Sequence, residues 1–240
     1  MVKGLAVKNP ILIIIAKEPQ VGTTKTRLSP PLELSQAAAL FEALLEDTID
    51  LASSIEGIDL AVAVTPPESI GYFEGKTPAG TLLIPVTCEN IGDCLKQVFE
   101  ELFERGYPKV LAFNSDGPSL PSEYIHQALE LLDGHEVVFG PSDDGGYYLV
   151  GLKKLYPGLF DDIQWSTPKV MEQSLAKAEA EKLGVALLPE WYDVDTADDL
   201  ERLLREVQRY PQDRLKHTRR YFTQLSLDLK ANLADSGQSD

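Results

Sequence analysis

Short apolar runs alternate along the chain with longer segments in which apolar residues recur at helical spacing. Residues 11–16 are apolar throughout and mostly β-branched, which is typical of a strand buried on both faces of a parallel sheet. Further runs predict strands at 60–64, 82–86, 110–113, 136–139, 147–152 and 185–188. Helical spacing predicts helices at 35–55, 91–102, 122–132, 168–183 and 197–207. This alternation predicts an α/β fold of three layers, with helices on both faces of a mostly parallel sheet.

Local signals refine the predicted sheet and its first helix. Pro85 lies in the run at 82–86, and because proline cannot donate a backbone hydrogen bond, it indicates an edge strand or a strand end. The runs at 136–139 and 147–152 are too close for a helical crossover, so we expect a mixed sheet that is antiparallel there. Ser35 is expected to cap the first helix.

The end of the chain differs in composition from the rest. We predict one α/β domain over residues 1–208 and a C-terminal helical extension with a frayed tail over residues 209–240. Apolar residues of this extension leave two alternatives open, packing on the body of the protein or pairing in a homodimer: Tyr210, Leu215, Tyr221, Phe222, Leu225 and Leu227.

The charge balance limits the partners of the chain. Its 240 residues contain 22 Lys and Arg against 38 Asp and Glu, a formal net charge of −16. Such an acidic surface repels nucleic acid and anionic membranes, so neither is an expected partner. No apolar run nears the length of a membrane span and no signal-peptide pattern is present, so we expect a cytoplasmic protein. Cys88 and Cys94 allow one disulfide.

A basic loop follows the first predicted strand and precedes the first helix. Gly22 would let backbone amides turn towards an anion, while Lys25 and Arg27 supply charge and forked donors, with Lys17 as a weaker candidate. A solvated surface loop is the alternative interpretation. The position after the first strand of an α/β sheet favours phosphate binding, because ligands bind beyond the carboxyl ends of such strands.

Acidic residues stand where two other predicted elements meet loops. Asp116 ends the run at 110–113 in a Ser-Asp-Gly-Pro turn, where it could hold a hard cation or merely form the turn. Asp193 and Asp195 precede Thr196, a natural helix cap. The cap does not explain the two carboxylates, and we expect one of them to face a site.

A glycine-rich segment separates the two strands of the predicted antiparallel pair. Asp144-Gly145 is an ordinary hairpin signal. The connection is longer than a tight hairpin, however, and Gly145 and Gly146 would allow a ligand to approach closely. Tyr147 is a candidate for stacking on, or hydrogen bonding to, a sugar or an acceptor.

Taken together and in order, these segments resemble a bacterial family of glycosyltransferase-A-like transferases, of the radical-SAM/selenodomain-associated type. The similarity extends over residues 10–205 and includes a Trp-Ser-Thr segment that adds Trp165 as a substrate-site candidate. Two positions depart from the family pattern, Val21 in place of proline and Gln97 in place of arginine. The matching segments are 17–28, 115–120, 140–149, 165–167 and 193–200.

The resemblance implies a nucleotide-diphospho-sugar transferase fold. In that superfamily, acidic residues after a central strand and near the last strand hold Mg²⁺ or Mn²⁺, and Asp116 and Asp195 match those positions. Three functions remain open. They are sugar transfer from a nucleotide sugar, nucleotidyl transfer to a phosphorylated small molecule in the manner of a guanylyltransferase, and nucleotide binding without catalysis. In the first two, Asp116 and Asp144 are the predicted catalytic residues, with Asp144 positioning or deprotonating the acceptor.

Overall fold

The computed structural model describes residues 8–236, with side chains through residue 227. Over these residues the chain forms seven strands: β1 (Ile11–Ala16), β2 (Asp59–Val64), β3 (Leu82–Pro85), β4 (Val110–Phe113), β5 (Val137–Pro141), β6 (Tyr147–Leu152) and β7 (Val185–Leu187). It also forms seven α-helices: α1 (Leu34–Ser53), α2 (Ile70–Glu74), α3 (Ile91–Glu104), α4 (Ser122–Gly134), α5 (Val170–Ala180), α6 (Ala197–Arg209) and α7 (Lys216–Ser236). The first residues of the predicted domain and residues 237–240 of the predicted tail lie outside this range.

All seven strands lie in one sheet, in the order β3-β2-β1-β4-β6-β5-β7. β6 runs antiparallel to both β4 and β5, while the remaining neighbours pair in parallel. The predicted mixed, mostly parallel sheet is therefore confirmed. Pro85 is both on an edge strand and at its end, where its missing N–H costs no ladder hydrogen bond.

The two faces of the sheet are covered by helices, which confirms the three-layer α/β fold. Alternate residues of β1 point to opposite faces, so Leu12 packs with α1, α2 and α4, while Ile13 packs with α3 and α5. A third apolar cluster lies between α1, α6 and the start of α7. No described helix combines the length and the apolar character that a membrane span requires.

The ends of two helices differ from the sequence prediction. Ser35 does not cap α1, because the helix begins at Leu34 and Glu33 forms a capping box with Gln36. The terminal helix α7 continues to Ser236, although the chain was expected to fray from Ala231. The short helix α2 and three single-turn 3₁₀ helices were not predicted, since each is too short to show helical spacing.

The C-terminal helix α7 packs on α1. The phenolic hydroxyl of Tyr221 donates to the carbonyl oxygen of Gln36 at 3.1 Å, and Leu215 is buried. Asp47, buried within α1, accepts hydrogen bonds from the backbone N–H groups of His217 (3.0 Å) and Thr218 (2.8 Å). The extension therefore lies against the body of the protein as far as Leu225, while Leu227 is exposed.

Candidate functional site

Two cavities open side by side at the edge of the sheet where the parallel strands end. The Trp165 cavity, of about 690 Å³, lies between the ends of β4 and β6, the segment before α5 and the segment before α6. The Lys17 cavity, of about 560 Å³, lies between the loop after β1 and the ends of β2 and β3. Ile15, Ile91, Ser115 and Asp116 line both cavities. Asp116 thus stands at their junction.

Asp116 and Asp195 converge on one cation at this junction. The ammonium group of Lys25 contacts Asp116 Oδ2 and Asp195 Oδ1. The guanidinium of Arg27 lies 3.6 Å from the other oxygen of Asp195. These residues belong to loops after β1 and β4 and to the segment before α6, which the strand order brings to one edge of the sheet. The structure therefore brings together both predicted metal ligands and two of the predicted phosphate-binding residues.

The environment of Lys25 holds a fixed positive charge between the two carboxylates. Burial by itself lowers the pKa of Lys25, but the charges of Asp116 and Asp195 and their hydrogen bonds outweigh this effect and raise the pKa. Only 8% of the Lys25 side chain is exposed, compared with 18% for Asp116 and 35% for Asp195. The cluster is therefore sheltered on the side of Lys25 and open on the side of Asp195.

Asp193 lies at the site together with Asp195. Asp193 and Asp195 both line the Trp165 cavity, so the expectation that only one of them faces a site was wrong. Residues two apart in an extended segment point to the same side. The alternate residues, Tyr192 before Asp193 and Val194 between the two aspartates, are buried in the core. The amide of Asn114 donates to Asp193 Oδ1.

The Asp193 carboxyl binds its proton more strongly than an ordinary aspartate does. Burial, followed by the charge of Asp116, raises the pKa of the Asp193 carboxyl well above its ordinary value, although Lys25 opposes this. The residue stands two places before Asp195 and beside the Asn114 amide.

The basic loop is only partly arranged around the cavities. Lys17 lines the Lys17 cavity and Arg27 lines the Trp165 cavity. Gly22 has a φ of 88° and is exposed, outside the lining of both. The backbone amides of Thr23 and Thr24 both donate to the carbonyl of Gln20, at 3.3 and 3.0 Å. In this arrangement the loop presents side-chain charges, rather than backbone amides, to the cavities.

The segment before β6 forms one wall of the Trp165 cavity. Asp144 Oδ1 accepts a hydrogen bond from Gly146 N at 2.9 Å, and Asp144, Gly146 and Tyr147 all line the cavity. Gly145 is not a lining residue. It has a φ of 88°, and a Cβ there would collide with the backbone of Pro168, so glycine is required by close packing of two loops.

Trp165 forms the opposite wall. Its indole lies directly over Gly92 at the start of α3, where a Cβ would overlap the ring. The ring also meets Tyr147 edge to face, with the centroids 6.3 Å apart. Gln97, two turns into α3, donates to the carbonyl of Thr87 at 2.7 Å and lines neither cavity.

A disulfide joins Cys88 and Cys94 at the wall of the Lys17 cavity. The single bridge that the sequence allowed is therefore formed. It ties the loop after β3 to the first turn of α3, close to Thr65 and Pro66, which line the same cavity.

A second group of potential metal ligands, Asp47, Asp50 and His217, lies at the contact between α1 and α7. Its geometry is accounted for by helix capping, because both oxygens of Asp47 accept backbone N–H groups at the start of α7. The imidazole of His217 is placed between Asp50, at 3.1 Å, and Glu46, at 2.8 Å. None of these three residues lines either cavity, and their contacts dock α7.

Comparison with known proteins agrees with this fold. Residues 48–167 match the family described as "Uncharacterized protein conserved in bacteria (DUF2064)". A curated relative, 2-phospho-L-lactate guanylyltransferase of Methanocaldococcus jannaschii, is 26% identical over 141 residues. That match covers 59% of this chain and 59% of the relative, so the chain matches well under two thirds of the relative's length.

Solved structures show the same fold. A protein of Desulfovibrio desulfuricans G20, named as a candidate nucleotide-diphospho-sugar transferase, is 27% identical with a TM-score of 0.80, over 89% of this chain and 98% of that one. 4-Diphosphocytidyl-2C-methyl-D-erythritol synthase of Anaerococcus prevotii has a TM-score of 0.56 at 12% identity, over 83% and 96% of the two chains, and shows likeness in fold alone. These matches confirm the predicted resemblance to the nucleotide-diphospho-sugar transferase superfamily.

Proposed function

The chain belongs to the family DUF2064, and we propose that it transfers a sugar from a nucleotide-activated donor to a small acceptor. The observation that carries the proposal is the convergence of Asp116 and Asp195 on the ammonium of Lys25, at the junction of two cavities. One cavity beside this cluster would take the nucleotide and the other the acceptor. The reacting atoms would then meet at the junction, next to Asp116.

Asp116 and Asp195 would hold Mg²⁺ or Mn²⁺. Carboxylate oxygens are the ligands that these hard cations prefer, and the two carboxylates already share one cation, the Lys25 ammonium. The donor set therefore fits such an ion. When bound, it would neutralise the charge that develops on the departing phosphate.

Lys25, Arg27 and Lys17 would bind the phosphates of the donor. Lys25 and Arg27 are already drawn to the carboxylates, and Lys17 is exposed on the lining of its cavity. In an acidic chain, these cations are what allow a polyanionic nucleotide to approach the site. Gly22 belongs to this proposal as the residue that turns the loop, with its φ of 88°.

Asp144 would accept the proton of the acceptor hydroxyl. Its hydrogen bond from Gly146 N, at 2.9 Å, fixes the carboxylate at the wall of the Trp165 cavity. In sugar transfer, the acceptor O–H bond breaks and its oxygen bonds to the anomeric carbon. The bond from that carbon to the diphosphate oxygen breaks, the nucleoside diphosphate leaves, and the proton passes to Asp144. Gly146, Tyr147 and Trp165 would contact the acceptor, with Gly145 maintaining the wall.

Nucleotidyl transfer is the second candidate, and the name of the M. jannaschii relative favours it. In that reaction an acceptor phosphate oxygen attacks the α-phosphorus of a nucleoside triphosphate, and pyrophosphate leaves. The products separate the two candidates, because sugar transfer releases a nucleoside diphosphate and nucleotidyl transfer releases pyrophosphate.

Calorimetry with nucleoside diphosphates, triphosphates and nucleotide sugars, each with and without Mn²⁺, tests the proposal. We expect binding that depends on the metal and is lost in Asp116→Ala. Asp198→Ala is the matched control, since Asp198 is exposed in the first turn of α6 and lines neither cavity. Unchanged nucleotide affinity in Asp116→Ala would reject the role of Asp116. Metal-dependent binding without turnover of any donor would instead favour a non-catalytic nucleotide-binding protein.

A further inference from the structure

The lining of the Trp165 cavity carries an excess of negative charge. Four carboxylates from three separate loops line it: Asp116, Asp144, Asp193 and Asp195. Arg27 is the one cation among the described residues of the lining. Arg27 is itself drawn to Asp195 at 3.6 Å, and 69% of its side chain is exposed. A ligand bound in this cavity is therefore surrounded by more carboxylates than cations.

Two cations near this cavity are paired with carboxylates. Lys25 is held between Asp116 and Asp195, and Lys96 on α3 pairs with Asp161. Gln97 stands where the resembling family has arginine, and its amide is used on the carbonyl of Thr87. Asp144 has no cationic partner among the described residues, so its carboxylate presents an unpaired negative charge at the wall.

The other side of the cavity is apolar and aromatic. The indole of Trp165 packs over Gly92 and against Tyr147, which gives a flat wall. Aliphatic side chains complete the lining: Ile91, Leu95, Ala112, Val150 and Val170. A volume of about 690 Å³ is within the range of small-molecule sites, which combine apolar walls with a few polar groups.

A phosphorylated or carboxylic acceptor does not suit such a lining. Proteins bind phosphates and carboxylates through Arg, Lys or backbone N–H groups, and carboxylates at short range repel them. A divalent ion on Asp116 and Asp195 would be neutralised by those residues and by the donor's phosphates. Little positive charge would then remain for a second anion.

On the basis of the proposed transfer reaction, we propose that the acceptor is an uncharged or cationic molecule with an apolar part, an alcohol or an amine, and not a phosphorylated or carboxylic acid. The apolar part would lie against Trp165, and the hydroxyl or amino group would face Asp144. This acceptor class differs from the one in the name of the guanylyltransferase relative, which is a phosphorylated acid.

Four probes with a common apolar body test the acceptor class: 2-phenylethanol, 2-phenylethylamine, phenylacetate and 2-phenylethyl phosphate. Ligand-observed NMR ranks their dissociation constants on the full chain, in Mg²⁺, with and without UDP or GDP. We expect the alcohol and the amine to bind about tenfold more tightly than the two anions, since like charge at the wall opposes the anions.

Two variants test the location. Trp165→Ala should weaken the binding of the alcohol and the amine about tenfold, because the flat apolar contact is lost. Trp191→Phe is the matched control, since Trp191 does not line the cavity. Asp144→Lys should reverse the order, so that the phosphate probe binds most tightly. Thermal unfolding of each variant confirms that it is folded.

The outcomes separate this inference from the proposed function. Equal or tighter binding of the phosphate probe to the unmodified chain overturns the acceptor class, and so does failure of both the alcohol and the amine to bind. Unchanged probe affinity in folded Trp165→Ala overturns the location. Metal-dependent nucleotide binding by calorimetry judges the proposed function independently. If no metal-dependent nucleotide binding is found, the cavity has no role as an acceptor site, even where the four probes bind in the expected order.

Discussion

The ammonium nitrogen of Lys25 contacts a carboxylate oxygen of Asp116, 91 positions further along the chain. Lys25 lies in the loop after β1 and Asp116 in the loop after β4, and these two strands are parallel neighbours. The ion pair therefore follows from the strand order. Because Asp195 shares the same ammonium, removing that charge affects two carboxylates at once.

Lys25→Met keeps most of the side-chain length but removes the charge between Asp116 and Asp195. We expect the free energy of unfolding of the metal-free protein to fall by about 1–3 kcal/mol, a discounted range because Asp195 is partly exposed. Urea unfolding in EDTA measures the loss, and Mn²⁺ should restore part of it. Lys17→Met, at an exposed position, is the control. A variant as stable as the unmodified protein would contradict the prediction.

Gly92→Ala tests the contact between α3 and Trp165. The new Cβ would overlap the indole, so we expect the free energy of unfolding to fall by about 1–3 kcal/mol. The same change in a Trp165→Ala background should cost much less, because the overlapping ring is gone. Gly75→Ala is the control, since a Cβ there meets open space. Additive effects of the Gly92 and Trp165 changes would argue against the contact.

Asp47→Ala tests the docking of α7. Loss of this carboxylate leaves the backbone N–H groups of His217 and Thr218 without their acceptor, and we expect a cost of about 1–2 kcal/mol. Asp50→Ala removes a surface ion pair with Lys216 and a hydrogen-bond contact with the His217 imidazole and should cost under about 1 kcal/mol. Urea unfolding and limited proteolysis of the C-terminus measure both. A larger effect for Asp50→Ala would show that the contacts of Asp50, and not the cap formed by Asp47, hold the helix.

The stability contributed by Tyr221 should depend on pH at alkaline values. Burial raises the pKa of Tyr221 to about 12, above the value of about 10 for a free phenol. The folded state then retains its proton more strongly, so stability falls as pH rises from about 10 towards 12. Tyr221→Phe lacks this proton, and the stability gap between the two proteins should shrink by up to about 1.4 kcal/mol per pH unit there. Urea unfolding at pH 8–11 measures the gap, and a constant gap above pH 10 would contradict the assignment.

The sequence determined the sheet and the place of the site. Apolar runs and helical spacing predicted all seven strands and most helices, because their burial repeats with the period of the backbone. The short connection between β5 and β6 predicted their antiparallel pairing. Since parallel strands end at a common edge, the positions of Asp116 and Lys25 after their strands indicate that both lie at that edge.

Only the tertiary structure decided which side chains within those loops face one another. The loops are irregular, so their side-chain directions have no period that a sequence could show. The shared contact of Lys25 with Asp116 and Asp195, the hydrogen bond from Asn114 to Asp193, and the position of Trp165 over Gly92 are set by strand order and packing between segments distant in the chain. The same packing leaves Gly22 outside both cavities, although its place in the motif suggested a direct role.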